Sequence, residues 1–183
     1  NLAIVVAILR NARRSLHKHD SAVAALTDAE DRIAAMARMH RRLLDGTAYA
    51  NGLGPLLREV LEDAFHDLSV KTSVSVPNDR SLSMDQATAI VLLVNEAAIN
   101  AAKHVFRQGS GTFFKVELVE RSGGHLQLIV SDDGPGLSKA PSCEQDAESL
   151  GLGIMQAFAR QLGGALEVLP AAGTTLSVEF AAD

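Results

Sequence analysis

One apolar stretch constrains the chain more than any other feature. From Ile90 to Ala102 the sequence is almost wholly apolar, yet Asn95, Glu96 and Asn100 interrupt it, and Lys103 and His104 follow. Ser83 with Gln86 three residues later is the capping-box pattern that opens a helix, here predicted to run to about Phe106. At 100° per residue, Glu96, Asn100 and Lys103 fall within about 60° of one another, so they form one polar stripe on an otherwise buried helix. A carboxylate, an amide and an ammonium so aligned suit a magnesium–triphosphate site. Asn100 would ligand the metal, Lys103 would reach phosphate, and Glu96 would act as a base or orient metal-bound water. The plainer alternative is an ion-pair face turned to water, and the stripe alone leaves both readings open.

Around this helix the chain divides into two parts. Leu2, Val5, Val6, Leu9 and Leu16 recur at helical spacing, and the polar run His17 to Ser21 ends that helix. Asp20 or Ser21 caps a second one to about Asp45, in which Leu26, Ile33 and His40 fall seven apart with Met36 and Leu43 alongside. Two amphipathic helices joined by a short loop form an antiparallel hairpin whose stripes need a partner, and a four-helix bundle built by two copies supplies it. Gly46 to Pro55, with Asn51, Gly52 and Gly54, reads as the linker, which places a hairpin domain at 1–46 and a second domain at 52–183.

The second domain alternates its periods. A helix is predicted from Leu53 to about Leu68, with Leu57, Leu61, Ala64 and Phe65 inward, and a strand from Val70 to Val76. After the long helix, Thr112 to Glu120 and His125 to Val130 flank Ser122-Gly123-Gly124 as a hairpin. A helix from Leu150 to Leu162 and a closing pair of strands, Ala165 to Leu169 and Thr174 to Phe180, complete it. The expected class is α+β, a helical hairpin followed by an α/β sandwich with helices on one face of a mixed sheet.

Composition narrows the partners. With 47% hydrophobic residues the chain can build a packed core, and a formal charge of −5 argues against nucleic acid, whose binding needs clustered Lys and Arg. The cluster Arg38, Arg41, Arg42 reads as a solvated helix face. One cysteine, Cys143, excludes an internal disulfide framework and a cysteine-rich metal site, and fits a reducing, cytoplasmic setting. The run Leu2 to Leu9 is too short to span a bilayer, so an anchor would lie outside this region.

Glycines mark the remaining candidates. Asp132-Asp133-Gly134-Pro135-Gly136 follows a strand directly, which puts an acceptor at the sheet's end and lets backbone approach a ligand. Gly151-Leu152-Gly153 opens a helix, where free N–H groups and the dipole favour phosphate, although a plain helix entry has the same appearance. Ser138 to Ser149 between them is polar and placed to fold over a ligand as a lid, with Cys143 an incidental member.

Taken in order, Asn95-Glu96-x-x-x-Asn100-x-x-Lys103-His104, Asp132-x-Gly134-x-Gly136, Gly151-x-Gly153 and Gly173-Thr174 resemble the N, G1, G2 and final glycine–threonine boxes of one ATPase superfamily. That superfamily contains histidine kinases, the Hsp90 chaperones, MutL and type II topoisomerases. The resemblance implies a Bergerat-type ATP-binding fold. In it Asp132 accepts a hydrogen bond from the adenine amino group with support from Thr174, Asn100 ligands Mg²⁺, and Glu96 is the general base or positions water. Lys103 and His104 approach the phosphates, and Gly134, Gly136, Gly151 and Gly153 shape the pocket and lid.

The hairpin is similar to the dimerisation and phosphotransfer domain of the HisKA_2 and HWE class of histidine kinases. Asn1-Leu2 through Leu9-Arg10, Ala12 to Ser15, and Arg32-Ile33-x-x-Met36-Ala37-x-x-His40-x-x-Leu43 carry this likeness, and the helix from Ser149 to Gly164 shares it. That class begins its first helix with His-Arg-x-Lys-Asn-Asn-Leu-Gln. Asn1-Leu2 matches the last Asn-Leu, so the phosphoacceptor histidine is expected about five residues before Asn1, and the hairpin as given is truncated at its N-terminus. Ala3 stands where the class has glutamine. His17 and His19 read as loop residues and His40 as a core histidine. The implied activity is ATP-dependent autophosphorylation on histidine followed by transfer to a response-regulator aspartate, in a homodimer. The rivals are a phosphotransfer protein or phosphatase with a degenerate ATPase-like domain, an anti-sigma-factor-type serine kinase, and a chaperone or DNA-repair ATPase. The last two fit poorly, the first lacking the hairpin and the second needing a longer chain.

Overall fold

The structure, a computed structural model, describes residues 52–77, 82–136 and 150–182, together with Ile33, Ala34 and Ala37 in helical conformation. The expected hairpin over 1–46, apart from those three residues, and the expected lid over 138–149 lie outside them. Ile33 packs against the hydrophobic core described below.

Among the described residues from 52 onward, three α-helices and five strands follow in the order α1 (Leu53–Ala64), β1 (Lys71–Ser75), α2 (Met84–His104), β2 (Phe113–Glu120), β3 (His125–Asp132), α3 (Leu150–Gln161), β4 (Leu166–Leu169) and β5 (Thr175–Ala181). The strands form one sheet in the order β1-β2-β3-β5-β4. The pair β1–β2 is parallel and the rest are antiparallel, so the sheet is mixed as expected.

Strand alternation decides where the core lies. Phe114, Val116 and Leu118 of β2 pair with Asp132, Val130 and Leu128 of β3, and Leu128 and Val130 pair with Val178 and Leu176 of β5. Directly paired residues share a face, and every apolar member of this set is buried. The opposite face carries Lys115, Glu117, Gln127 and Glu179. These three helices therefore sit on one side, and residues 52–182, as described, form a two-layer sandwich.

The long helix occupies the middle of the helical layer, between α1 and α3 and over β3. That position explains its composition, since Ala87 through Val94 are all buried and a helix covered by two neighbours and a sheet has little surface left for charge. Its start is fixed as the sequence indicates. Gln86 N–H donates to Ser83 Oγ and Ser83 N–H donates to Gln86 Oε1, both at 3.3 Å, and Gln86 Nε2 also donates to Ala181 O at 2.9 Å. The cap thereby ties α2 to the end of β5. At the other end, edge-to-face contacts join Phe65 to Phe106 (5.2 Å) and to Phe114 (5.3 Å), which locks the end of α2 to α1 and the sheet.

Boundaries differ from expectation in two places that matter. The first helix stops at Ala64 rather than near Leu68, because Phe65 turns inward to that aromatic cluster and Leu68 N–H bonds to Phe65 O. The third strand continues past Val130 to Asp132, because Asp132 N–H donates to Thr174 O at 3.0 Å and extends the ladder.

Candidate nucleotide site

The stripe on α2 is graded in exposure. Glu96 is only 4% exposed, Asn100 is half-buried, and Lys103 and His104 in the last turn are open to solvent. A water-facing ion-pair stripe would not bury its carboxylate, so the plainer sequence alternative does not describe Glu96.

The N-terminal turn of α3 lies directly on this stripe. A Cβ placed on Gly151 would stand 2.5 Å from Asn100 Nδ2 and 2.7 Å from Glu96 Oε1. A side chain there would displace both groups, so Gly151 does more than begin a helix. It lets the first turn of α3, whose N–H groups lack intrahelical acceptors, approach the carboxylate and amide of α2. Gly153 is half-buried one turn position further on.

A second assembly forms at the end of β3. Asp132 Oδ1 accepts from Gly134 N–H at 2.9 Å and Thr174 N–H at 3.3 Å, while Asp132 N–H donates to Thr174 O. Asp132 and Thr174 thus hold each other through both main chain and side chain. Asp132 Oδ2 makes no hydrogen bond among the described residues, which leaves an acceptor available on the helix-covered face of the sheet, opposite Phe114. Two glycines allow the approach. A Cβ on Gly173 would collide with the Asp132 carbonyl oxygen, and one on Gly134 would stand 2.6 Å from Val105 Cγ1. Gly136 has φ 75°, the left-handed region that favours glycine, and faces Gly173 O.

Val105 joins the two assemblies. As the residue capping α2 it follows Lys103 and His104, and its methyl groups pack under Gly134. The end of the stripe and the Asp132 turn are therefore neighbours.

Comparison with known proteins gives two family matches. Residues 85–183 match the family model described as histidine kinase-, DNA gyrase B-, and HSP90-like ATPase, and residues 1–68 match the HisKA_2 histidine kinase model. The chain belongs to this ATPase family, as a histidine kinase core of the HisKA_2 class. It is 30% identical over 181 residues to the sensor histidine kinase PdtaS of Mycolicibacterium smegmatis, covering 95% of this chain and 36% of that protein. The PdtaS of Mycobacterium tuberculosis is 29% identical over 171 residues, covering 91% of this chain and 34% of that protein. This kinase core thus spans about a third of the length of the curated relatives it matches. Among solved structures, the histidine kinase domain of the blue-light activated histidine kinase of Erythrobacter litoralis superposes with a TM-score of 0.64 at 20% identity, over 96% of this chain and 93% of that one. The likeness supports the Bergerat-type sandwich expected from the glycine boxes.

Sequence reasoning passed over one residue of the kinase core. Asp133 Oδ1 accepts from Thr112 N–H at 2.8 Å and Phe113 N–H at 2.9 Å, and Oδ2 accepts from the Thr112 hydroxyl at 3.2 Å. Slight burial pushes its carboxyl pKa up, but the hydrogen bonds from Phe113 and Thr112 outweigh this and hold it below the ordinary range. Its partners lie some twenty residues back in sequence, so no local pattern announces them.

Proposed function

We propose that this chain is the ATP-binding and dimerising core of a two-component sensor kinase, which phosphorylates a histidine from ATP and passes the phosphoryl group to an aspartate of a response-regulator receiver domain. The observation that carries the reading is the approach of Gly151 to Glu96 and Asn100. It brings a helix N-terminus, a buried carboxylate and an amide to one point, beside an exposed Lys103.

ATP is expected to lie with its adenine amino group donating to Asp132 Oδ2 and its phosphates toward the first turn of α3. The N–H groups there favour anions, and Lys103 and His104 at the open end of the stripe add donors. Asn100 Oδ1 and Glu96 Oε1 both come within 3 Å of the space that a Gly151 side chain would fill, and two oxygen donors on one side suit a hard cation. Among the described residues no group of three His, Cys, Asp or Glu could cage a metal. That fits Mg²⁺, which takes most of its ligands from phosphate and water. Asn100 would hold the ion, with Glu96 close by, and the ion would offset charge on the phosphates.

Phosphoryl transfer then rests on positioning. The imidazole nitrogen attacks the γ-phosphorus as the bond to the β-bridging oxygen breaks, ADP leaves, and Glu96 takes up or orients the imidazole proton. The accepting histidine is proposed to lie upstream of Asn1, in the part of the hairpin domain that precedes residues 1–46, and that domain is proposed to join two copies. The catalytic domain is proposed to cover 52–183. Among the described residues α2 alone is long and apolar enough to cross a membrane, and most of it is already buried inside the fold. That burial makes α2 the central helix of the fold, and a cytoplasmic setting for the core is part of the proposal. The match of 1–68 to a histidine kinase model speaks against an anti-sigma-factor-type serine kinase.

Calorimetry with ATP and Mg²⁺ tests the pocket. The parent chain is expected to bind, and Asp132→Asn is expected to bind far more weakly while remaining folded. A folded parent that does not bind would turn the reading toward a degenerate phosphotransfer protein.

A further inference from the structure

The adenine-side acceptor, Asp132, stands on a turn that must be held from both sides if its carboxylate is to keep a fixed position. On one side the hold is Thr174. On the other, Asp132 is paired with Phe114 of β2, and among the described residues the hydrogen bonds that carry the hold beyond this pair to the start of β2 involve Asp133, since Asp133 N–H donates to Phe113 O at 3.2 Å and its carboxylate gathers Thr112 N–H, Phe113 N–H and the Thr112 hydroxyl. The strand ladder has ended there, because Phe114 opposite Asp132 is the last β2–β3 pair. One backbone bond, from Asp133 N–H to Phe113 O, reaches past that pair, and the Asp133 carboxylate adds three more bonds to the entry of β2.

Two further contacts make this a built feature. A Cβ on Gly111 would stand 2.6 Å from Asp133 Oδ1 and 2.8 Å from Val105 Cγ1, so the chain entering β2 is pressed against the carboxylate and against the cap of α2 at once. Val105 also supports Gly134 from below, and Val105 O accepts from Ser110 N–H at 3.0 Å. Residues 105–113 and 132–134 form one closed unit. Asp133 is its polar fastener and Val105 its apolar one.

We infer that Asp133 is a positioning residue for the nucleotide, setting the place of Asp132 by clamping the turn 132–134 to the start of β2. This rests on the proposed adenine contact of Asp132. Asp133 itself is exposed, and its carboxylate is spent on main-chain donors, so its effect passes through its neighbour. The expected signature is a change in nucleotide affinity with the phosphoryl-transfer rate at saturating ATP left in place, because Glu96, Asn100 and Gly151 lie on the other assembly.

The test compares the parent, Asp133→Ala, Asp133→Asn and Gly111→Ala by ATP calorimetry with thermal unfolding alongside, and measures kcat and KM of autophosphorylation in the protein carrying its upstream residues. Asp133→Ala is expected to weaken binding and raise KM by roughly ten-fold or more with kcat little changed, the scale of a small misplacement of a binding group. Asp133→Asn keeps an acceptor oxygen for both amides and is expected to recover most of the affinity. Gly111→Ala keeps the charge but displaces the carboxylate, and should weaken binding as Asp133→Ala does. It serves as the deciding variant should Asp133→Ala fail to fold. Parent-like affinity in folded Asp133→Ala or folded Gly111→Ala overturns the inference while leaving the kinase reading intact. Equal losses of kcat and affinity, with no recovery in Asp133→Asn, would also overturn it. A folded parent that does not bind ATP overturns both.

Discussion

Replacing Gly151 with alanine should separate stability from chemistry in this fold. The new Cβ would stand 2.5 Å from Asn100 Nδ2, 2.7 Å from Glu96 Oε1 and 2.9 Å from Asn100 Oδ1, all closer than carbon tolerates. Each of these atoms is the far end of a side chain, so rotation can relieve the clash without moving backbone. Overpacking a core costs about 1–3 kcal/mol, and relief by two side chains puts this case near 1 kcal/mol. Alanine returns up to ~1 kcal/mol over glycine inside a helix, but only part of it in a first turn. The net loss is then about 0.5 kcal/mol, or roughly 1–2 °C in melting temperature.

Function should respond on another scale. The rotation that relieves the clash carries the Asn100 amide and the Glu96 carboxylate away from the point where they meet α3, and a misplacement of about 1 Å can cost on the order of 100-fold in rate. Melting by circular dichroism and the initial rate of autophosphorylation, in protein that carries the upstream residues, measure the two effects together. A variant that phosphorylates at the parent rate would refute the assignment of Glu96 and Asn100 to the reaction. A fall in melting temperature beyond about 6 °C would refute the claim that side chains absorb the clash.

Five other substitutions probe separate parts of the argument. Glu96→Gln or Asn100→Ala is expected to abolish autophosphorylation with a near-parent melting curve, and a folded Asn100→Ala of parent rate would remove Asn100 from the metal role. Gly173→Ala sets its Cβ against the Asp132 carbonyl, which is backbone and cannot rotate away, so a loss of about 3 kcal/mol or more is expected in denaturant unfolding. Phe114→Ala empties a fully buried site between Phe65 and Val116, and about 3–5 kcal/mol should be lost in the same assay. Asp133 has a folded pKa below its unfolded one, so its stabilising effect is present above about pH 4 and lost as pH falls through the lowered value. The difference in melting temperature between parent and Asp133→Ala should therefore be constant at neutral pH and shrink in acid. A difference that widened in acid would contradict the hydrogen-bonding geometry.

What could be read from the sequence was what is local. The Ser83–Gln86 box, the period of β2 and β3 and the stripe on α2 depend on residues within one or two turns or a single strand, and each appears where its spacing indicates. What could not be read depends on distant backbone. That Gly151 has to be glycine because of Glu96 and Asn100, and Gly173 because of Asp132, requires segments about fifty and forty residues away to be in place first. The motif order identified these glycines without supplying the reason. The third strand was read two residues short because Ser131 and Asp132 carry no apolar signal, and it is the pairing with Thr175 and Thr174 that extends it. Asp133 was passed over as a turn residue for the same cause.

On the proposed reading, the two assemblies divide the nucleotide site into a binding end and a reacting end. The Asp132 end is built on the sheet, where the Asp132 carboxylate accepts from Thr174 N–H and the Asp133 carboxylate from Thr112 and Phe113 N–H, donors held at or next to the ends of paired strands. The Glu96 end is built from side chains on α2 meeting the start of α3, where approach depends on one missing Cβ. A rigid end suits the invariant adenine, and an end assembled from two helices suits phosphates whose bonding changes during transfer. Substitutions at the first end should therefore raise KM, and those at the second should lower kcat. A single variant at Asp133 or Gly134 that lowered kcat alone would show that the ends are coupled, with Val105 as the contact through which the coupling would pass.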